Sequence, residues 1–301
     1  MAKTAPHIVQ YQGSKRNLAP QILEYFPRHF KRLIEPFSGM AAITMAVAQQ
    51  HRAEKYYLND LNSPLVEILR EAIEFPNVLV AEYEKIWAGQ LTFDEGSVAH
   101  FYKVRDEFNR GNKTAANMLY LLARCVKGSV RYSSAGMFNQ SPDKRRKGTS
   151  PLTLAKNIYQ ISALLKGKTE FSSTDYRKVL EQAVPGDLVY MDPPYQGVCN
   201  SHDNRYFSGI DFSEFVEAIE SLNARGVDFV ISYDGVCGDK RYGVDLPDSL
   251  NLQKVLLNAG LSSQGILLGR KETTYEALYL SHNLHKKKSA VYQQLLFNEV
   301  V

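Results

Sequence analysis

Asp192-Pro193-Pro194-Tyr195 puts a carboxylate, a proline carbonyl and an aromatic ring on one stiff corner. The residues just before it, 187–191, read as a short buried strand. Two prolines end that strand, because proline cannot donate to a sheet ladder and fixes its own φ. The trio suits methylation of an exocyclic amine on a flat base: Asp192 and the Pro193 carbonyl accept the two amino hydrogens, and Tyr195 lies against the ring. The bland alternative is a Pro-Pro turn that closes a strand with a solvated Asp.

Three further stretches have residue types that could hold a ligand beside this corner. In Tyr11-Gln12-Gly13-Ser14-Lys15, the glycine lets backbone approach a ligand and the lysine can reach an anion. Asn17 is then expected to cap a helix with Leu18, Ile22 and Phe26 inward. Residues 33–37 (LIEPF) read as a strand, and Ser38-Gly39-Met40-Ala41-Ala42 opens a helix with Ile43, Ala46 and Val47 inward. Small residues at a strand-to-helix turn allow a cofactor to touch backbone at a helix N-terminus. About 20 residues on, residues 56–60 form a second strand ending in Asp60, where a nucleoside-binding fold places its ribose carboxylate. Asp60 as a plain turn residue before the Ser63-Pro64 helix start is the alternative.

The four motifs YQGSK, EPFSG, LND and DPPY, in this order, resemble the Dam-type (D12 class) N6-adenine-specific DNA methyltransferases over residues 11–284. The resemblance implies S-adenosylmethionine as cofactor, with Tyr11, Gly13 and Lys15 in its first motif. It implies that Pro36, Phe37 and Gly39 wall the methionine part, that Asp60 binds the ribose, and that Asp175 and Tyr176 meet the adenine. Asp192, which also borders the cofactor, would work with Pro193, Pro194 and Tyr195 as the catalytic group. Ala41 departs from the small residue, often glycine, that the family carries two positions after Gly39.

Helical stripes fill the middle of the chain: Leu65, Ile68, Leu69 and Ala72; then Val98, Phe101, Tyr102, Arg105 and Phe108; then Met118, Leu121 and Leu122. A last helix starts at Ser150-Pro151, carries Leu154, Ile158, Ile161 and Leu165 inward, and ends at Gly167. Between the last two helices, residues 124–147 hold seven basic residues and a single acid, Asp143, on a chain whose net charge is +4. Such an island is the footprint of a polyanion site. By the resemblance this segment reads DNA, with Arg124, Lys127, Arg131, Tyr132, Asn139, Lys144, Arg145, Arg146 and Lys147 as candidate contacts. Lys127 and Ser129 replace the family's asparagine and leucine there, so a target other than GATC is expected.

Strands are expected at 169–172 and 227–232, a short helix at 179–183 and a longer one capped near Asp211 or Ser213. Residues 252–257 and 275–281 are expected to form the antiparallel edge of a mixed sheet. The three cysteines are scattered without CxxC spacing, which suggests neither a disulfide framework nor a metal site. No apolar run reaches membrane-spanning length.

The fold expected is α/β: a Rossmann-like class I methyltransferase domain with a mixed, mostly parallel sheet, made from residues 1–70 and 166–301. A helical and loop target-recognition insertion would occupy 71–165. The function implied is site-specific transfer of the S-adenosylmethionine methyl to N6 of adenine in double-stranded DNA, with the base flipped out. Cytosine N4, an RNA adenine, or a catalytically dead DNA-binding module are the alternatives. The expected setting is the bacterial or phage-infected cytoplasm, as a monomer or weak dimer, with a cognate restriction endonuclease as a further partner.

Overall fold

The computed structural model describes residues 5–194, 210–237, 240–241, 244–261 and 273–284. Tyr195, the polar run 196–209 and the lysines at 286–288 lie outside the described residues.

Five strands run parallel: β1 (Phe30–Glu35), β2 (Ala53–Asn59), β3 (Thr169–Ser172), β4 (Asp187–Met191) and β5 (Asp228–Cys237). Two-residue β6 (Lys240–Arg241) pairs with the end of β5, and β7 (Gln253–Leu261) and β8 (Thr273–Leu280) run antiparallel. The strand order is β3-β2-β1-β4-β5-β8-β7. This is the Rossmann-like mixed sheet that the alternating apolar runs require. Order reverses between β1 and β4, and the crevice at their carboxyl ends is where such a sheet binds ligands.

Alternation along the strands divides the core in two. Leu33, Leu58, Leu188, Tyr190, Val230 and Leu278 face one layer, and Ile34, Tyr57, Val189, Met191, Phe229 and Ala277 face the other. The first layer contains α1 (Ala19–Leu23), α2 (Ala42–Gln49), α3 (Ser63–Glu74), α4 (Pro76–Thr92), α5 (Gly96–Asn109), α6 (Ala115–Arg124) and α7 (Pro151–Leu165). The second holds α8 (Tyr176–Leu180) and α9 (Phe212–Ala224). Phe215 of α9 is fully buried and stacks on Tyr233, with ring centroids 6.1 Å apart; burying a ring of this size is worth about 1.5–3 kcal/mol.

Side-chain caps fix the starts of α6, α7, α8 and α9. Asp211 Oδ1 accepts from Glu214 N at 3.0 Å, and Ser150 Oγ accepts from Thr153 N at 3.4 Å with Pro151 next in line. Asn17 does not cap as expected. Lys15–Asn17 is itself a 3-10 turn, and α1 starts after Leu18 without a side-chain cap. Leu18, Ile22 and Phe26 are buried all the same. The short helix near 179–183 starts three residues earlier, because Asp175 caps it by accepting from Arg177 N at 2.9 Å.

The chain leaves the sheet region at the end of α3 and returns at β3 through almost one point. Gly167 N donates to Glu74 Oε1 at 3.3 Å, and Ser162 Oγ donates to the Ile73 carbonyl at 2.7 Å.

Candidate functional site

A cavity of about 240 Å3 opens at the carboxyl ends of β1, β2 and β4. Gly39 and Met40 line it on the turn from β1 into α2, which makes two excursions to positive φ, 49° at Gly39 and 53° at the buried Ala41. Glycine adopts that region freely, whereas alanine there carries backbone strain. The Tyr11 ring closes over Gly39, where an added Cβ would stand 3.1 Å from the ring.

Asp60 directly follows β2, with both carboxylate oxygens engaged. Oδ2 accepts from Gly39 N and Oδ1 from Asn62 N, each at 2.9 Å. Burial raises its pKa and these two amides oppose the shift. Its spare lone pairs face the cavity, where two hydroxyls could donate to them. One residue earlier, buried Asn59 ties three loops together. Its amide donates to the Pro36 and Thr174 carbonyls at 2.9 and 3.1 Å and accepts from Thr174 N at 3.0 Å. Across the cavity, Phe37 and Tyr176 pack at 5.1 Å between ring centroids, beside Asp175.

Asp192 follows the fully buried β4, and Pro193 and Pro194 join it in the wall. Lys15 Nζ lies 2.9 Å from Asp192 Oδ1 and 3.3 Å from Glu276 Oε1, with the lysine side chain only 8% exposed. Burial alone would lower the Lys15 pKa, but the two carboxylates overcome it and hold the ammonium above its usual range. Lys15 thus serves carboxylates within the protein. Glu35, at the end of β1, is a further buried carboxyl, pushed up to about 8 by burial and, to a lesser degree, by Asp192. Thr44 opposes that shift through its backbone N–H, 2.7 Å from Glu35 Oε1, and its hydroxyl. Sequence reasoning passed over Glu35 and Glu276, since a lone Glu in a strand has no local signature.

All ten residues expected around the cofactor (Tyr11, Gly13, Lys15, Pro36, Phe37, Gly39, Asp60, Asp175, Tyr176 and Asp192) line this one cavity. Tyr195 is outside the described residues.

The basic segment is a strapped loop with most of its basic side chains exposed. A hairpin with a Tyr132–Phe138 bridge buries Phe138, whose backbone N–H and C=O both bond the Asn109 amide, at 2.8 and 2.9 Å. Further on, Trp87 and Gln90 of α4 donate to the Lys147 carbonyl at 2.9 and 3.1 Å, and Tyr83 donates to the Thr149 carbonyl at 2.7 Å. Lys144, Arg145, Arg146 and Lys147 are exposed on this strap, as are Lys127, Arg131 and Asn139. Arg124 is not. It is 1% exposed, and its guanidinium donates to the Asp143 and Ser97 carbonyls at 3.0 and 3.4 Å, so it anchors the loop and does not reach a surface where DNA could lie. Its helix α6 is buried nearly all round, which draws this terminal arginine inward. Tyr132 is half-buried in the cavity wall, its hydroxyl donating to Asn62 Oδ1 at 3.0 Å.

The loop also meets the cofactor turn through backbone. Gln12 N donates to the Gly128 carbonyl at 3.1 Å, and a Cβ on Gly128 (φ +58°) would fall 1.8 Å from the Gln10 carbonyl oxygen.

Residues 11–264 match the family model described as "D12 class N6 adenine-specific DNA methyltransferase". The Type II methyltransferase M.MjaIII of Methanocaldococcus jannaschii is 26% identical over 91% of this chain and 98% of its own length. The DNA N-6-adenine-methyltransferase of Escherichia phage P1 is 30% identical over 76% of this chain, a stretch that makes up only 30% of the phage protein. Among solved structures the likeness is loose: an rRNA methylase from Streptococcus thermophilus shares 10% identity over 89% of this chain and 98% of its own, at a TM-score of 0.35. No helix among the described residues is long and apolar enough to cross a membrane.

Proposed function

Because this chain belongs to the D12 class of N6 adenine-specific DNA methyltransferases, with S-adenosylmethionine as methyl donor, we propose that the cavity at the ends of β1, β2 and β4 is its active site. The observation that carries this reading is Asp192. It stands at the end of a buried strand, 2.9 Å from a buried ammonium, in the same cavity as the strand-terminal Asp60. The donor set fits the cofactor. Asp60 can accept two ribose hydroxyls, the Phe37–Tyr176 wall suits a flat ring, and the carboxylates of Asp60 and Asp192 line the cavity where a sulfonium cation would sit.

S-adenosylmethionine, when bound, supplies an electrophilic methyl group on that sulfonium. The protein's own residues prepare the amine. The N6 lone pair of adenine is delocalised into the ring and is a poor nucleophile. Asp192 and the Pro193 carbonyl accept its two hydrogens, which favours a tetrahedral nitrogen and aims its lone pair. The same acceptors stabilise the positive charge that develops on N6 before it sheds a proton. N6 lies inside the duplex, so the base must be flipped out at a cost of a few kcal/mol in stacking. Tyr195 recovers part of that by lying on the ring. The strapped loop holds phosphates with Lys144 to Lys147 and reads base edges with Lys127 and Arg131.

Site-specific action on double-stranded DNA, a cognate restriction endonuclease, a monomeric or weakly dimeric state and a cytoplasmic setting belong to the same proposal. So does the division of the chain into a catalytic part, 1–70 and 166–301, and a recognition part, 71–165. The test is tritium transfer from labelled S-adenosylmethionine to plasmid DNA. Asp192→Ala should abolish transfer while the variant stays folded; near-normal turnover would remove Asp192 from the mechanism. A wild-type protein that binds DNA without transferring label would be a binding module only.

A further inference from the structure

Lys15 is gripped by two carboxylates on one face of the sheet. Asp192 approaches from the end of β4, and Glu276 approaches from β8, two strands away in the order β4-β5-β8. Glu276 lies beyond residues 11–264 that the family model matches. Its side chain is 13% exposed. A line of polar groups crosses the three strands to meet it: Tyr190 OH lies 2.7 Å from Ser232 Oγ, and the Ser232 hydroxyl bonds the Glu276 carboxylate. A polar line of this kind inside an apolar face is costly unless each member is satisfied.

The second carboxylate alters what Asp192 can do. A buried ammonium in contact with one carboxylate makes a neutral pair, and the carboxylate's charge is largely spent on its partner. Asp192 in that state would be a weak acceptor for an amine that turns positive as the methyl arrives. An ammonium has three N–H donors and can serve two carboxylates at once. Glu276 takes part of the Lys15 charge and pulls the ammonium toward β8, so Asp192 keeps negative charge and a fixed orientation. We propose that Glu276 is a positioning residue for methyl transfer, acting on Asp192 through Lys15. This rests on the reading of Asp192 as acceptor for the target amine.

The test is Glu276→Gln, which keeps the shape and removes the charge. Turnover on plasmid DNA should fall about 10- to 100-fold, the loss usual when a group that orients a reactive ligand is removed. The Kd for S-adenosylmethionine, the KM for DNA and the melting temperature should stay close to wild type. Glu276→Asp, which restores the charge on a shorter arm, should recover most of the turnover. If the glutamine variant fails to fold, Ser232→Ala takes its place: it releases Glu276 from its hydroxyl partner at unchanged charge and should lower kcat several-fold. Wild-type kcat in Glu276→Gln, equal losses in the Gln and Asp variants, a loss confined to cofactor affinity or melting temperature, or wild-type kcat in Ser232→Ala would each overturn the proposal. Asp192→Ala run in parallel separates the two layers. If it is inactive while Glu276→Gln is not impaired, only the role of Glu276 falls; if it turns over normally, both readings fall.

Discussion

Replacing Gly128 with alanine asks whether the basic loop and the cofactor turn work as one piece. The added Cβ would lie 1.8 Å from the Gln10 carbonyl oxygen. An ordinary carbon–oxygen contact is about 3.3 Å, so the loop must retreat by roughly 1.5 Å. That retreat breaks the 3.1 Å bond from Gln12 N to the Gly128 carbonyl, which is worth about 0.5–1.5 kcal/mol. Alanine held at φ +58° adds about 1–2 kcal/mol of backbone strain. Together roughly 1.5–3.5 kcal/mol oppose the docked loop, equivalent to about a 10- to 300-fold loss. The assay is tritium transfer to plasmid DNA, read as kcat/KM for DNA, with cofactor affinity measured separately by calorimetry. Gly136→Ala is the matched control. It has the same handedness, φ +71°, but nothing within 4 Å of its Cβ position, so it suffers only the backbone strain, in an exposed turn. Gly128→Ala should lose about 2- to 12-fold more kcat/KM than Gly136→Ala, the lost hydrogen bond put through the same conversion. If the two variants lose equal activity, or Gly128→Ala stays within threefold of wild type, the docking contact has no functional weight.

Neutralising Lys144, Arg145, Arg146 and Lys147 together should weaken binding to every DNA alike and flatten its salt dependence by about 0.9 in slope per lost phosphate contact; an unchanged slope would remove the strap from the DNA path. Lys127→Ala and Arg131→Ala should each relax discrimination at one base position by about 1–3 kcal/mol. Sequencing the methylated adenines made by these variants and by the wild type checks this, and an unaltered motif in both, or a GATC motif in the wild type, would show the base-reading assignment to be wrong. Glu35, raised from 4.5 to about 8 in the folded protein, binds its proton more tightly folded than unfolded. Its contribution to stability is therefore complete below about 4.5 and lost as pH rises through about 8. Glu35→Gln should flatten chemical denaturation midpoints across that window, where a single such group changes stability by at most about 1.4 kcal/mol per pH unit, and parallel pH profiles for the two proteins would contradict it.

The corner that carries Asp192 was legible because its signal is local: two prolines after an apolar run leave the chain one path, and Asp192 is placed by it in the cavity wall. Asp60 was legible for a similar reason, as the polar end of a strand at a known distance from a small-residue turn. Glu276 was not, because its meaning depends on Lys15 from the opposite end of the chain, and no pattern around it in TTYEALYL marks the pairing. Asn59 was overlooked beside Asp60, although its buried amide holds the loops that shape the cavity. Arg124 was misleading in the other direction. Counted by charge it joined the basic island, yet it continues the buried spacing of Asn117 and Leu121 along α6. Helical periodicity, weighed against charge, would have turned it inward.

The near-contact of Glu74 and Gly167 bears on how such a protein can change over time. Everything between those two residues begins and ends at one doorway beside the sheet. Lengthening a segment closed at such a point costs only about 0.6 kcal/mol per doubling, and it leaves the strands that carry Asp60 and Asp192 where they are. The span can therefore be treated as a cassette. If the span reads the target as proposed, a lineage could lengthen or trim it away from the Gly128–Gln12 contact and the Tyr132 wall, and so acquire a new vocabulary of target sequences while the cavity is inherited unaltered.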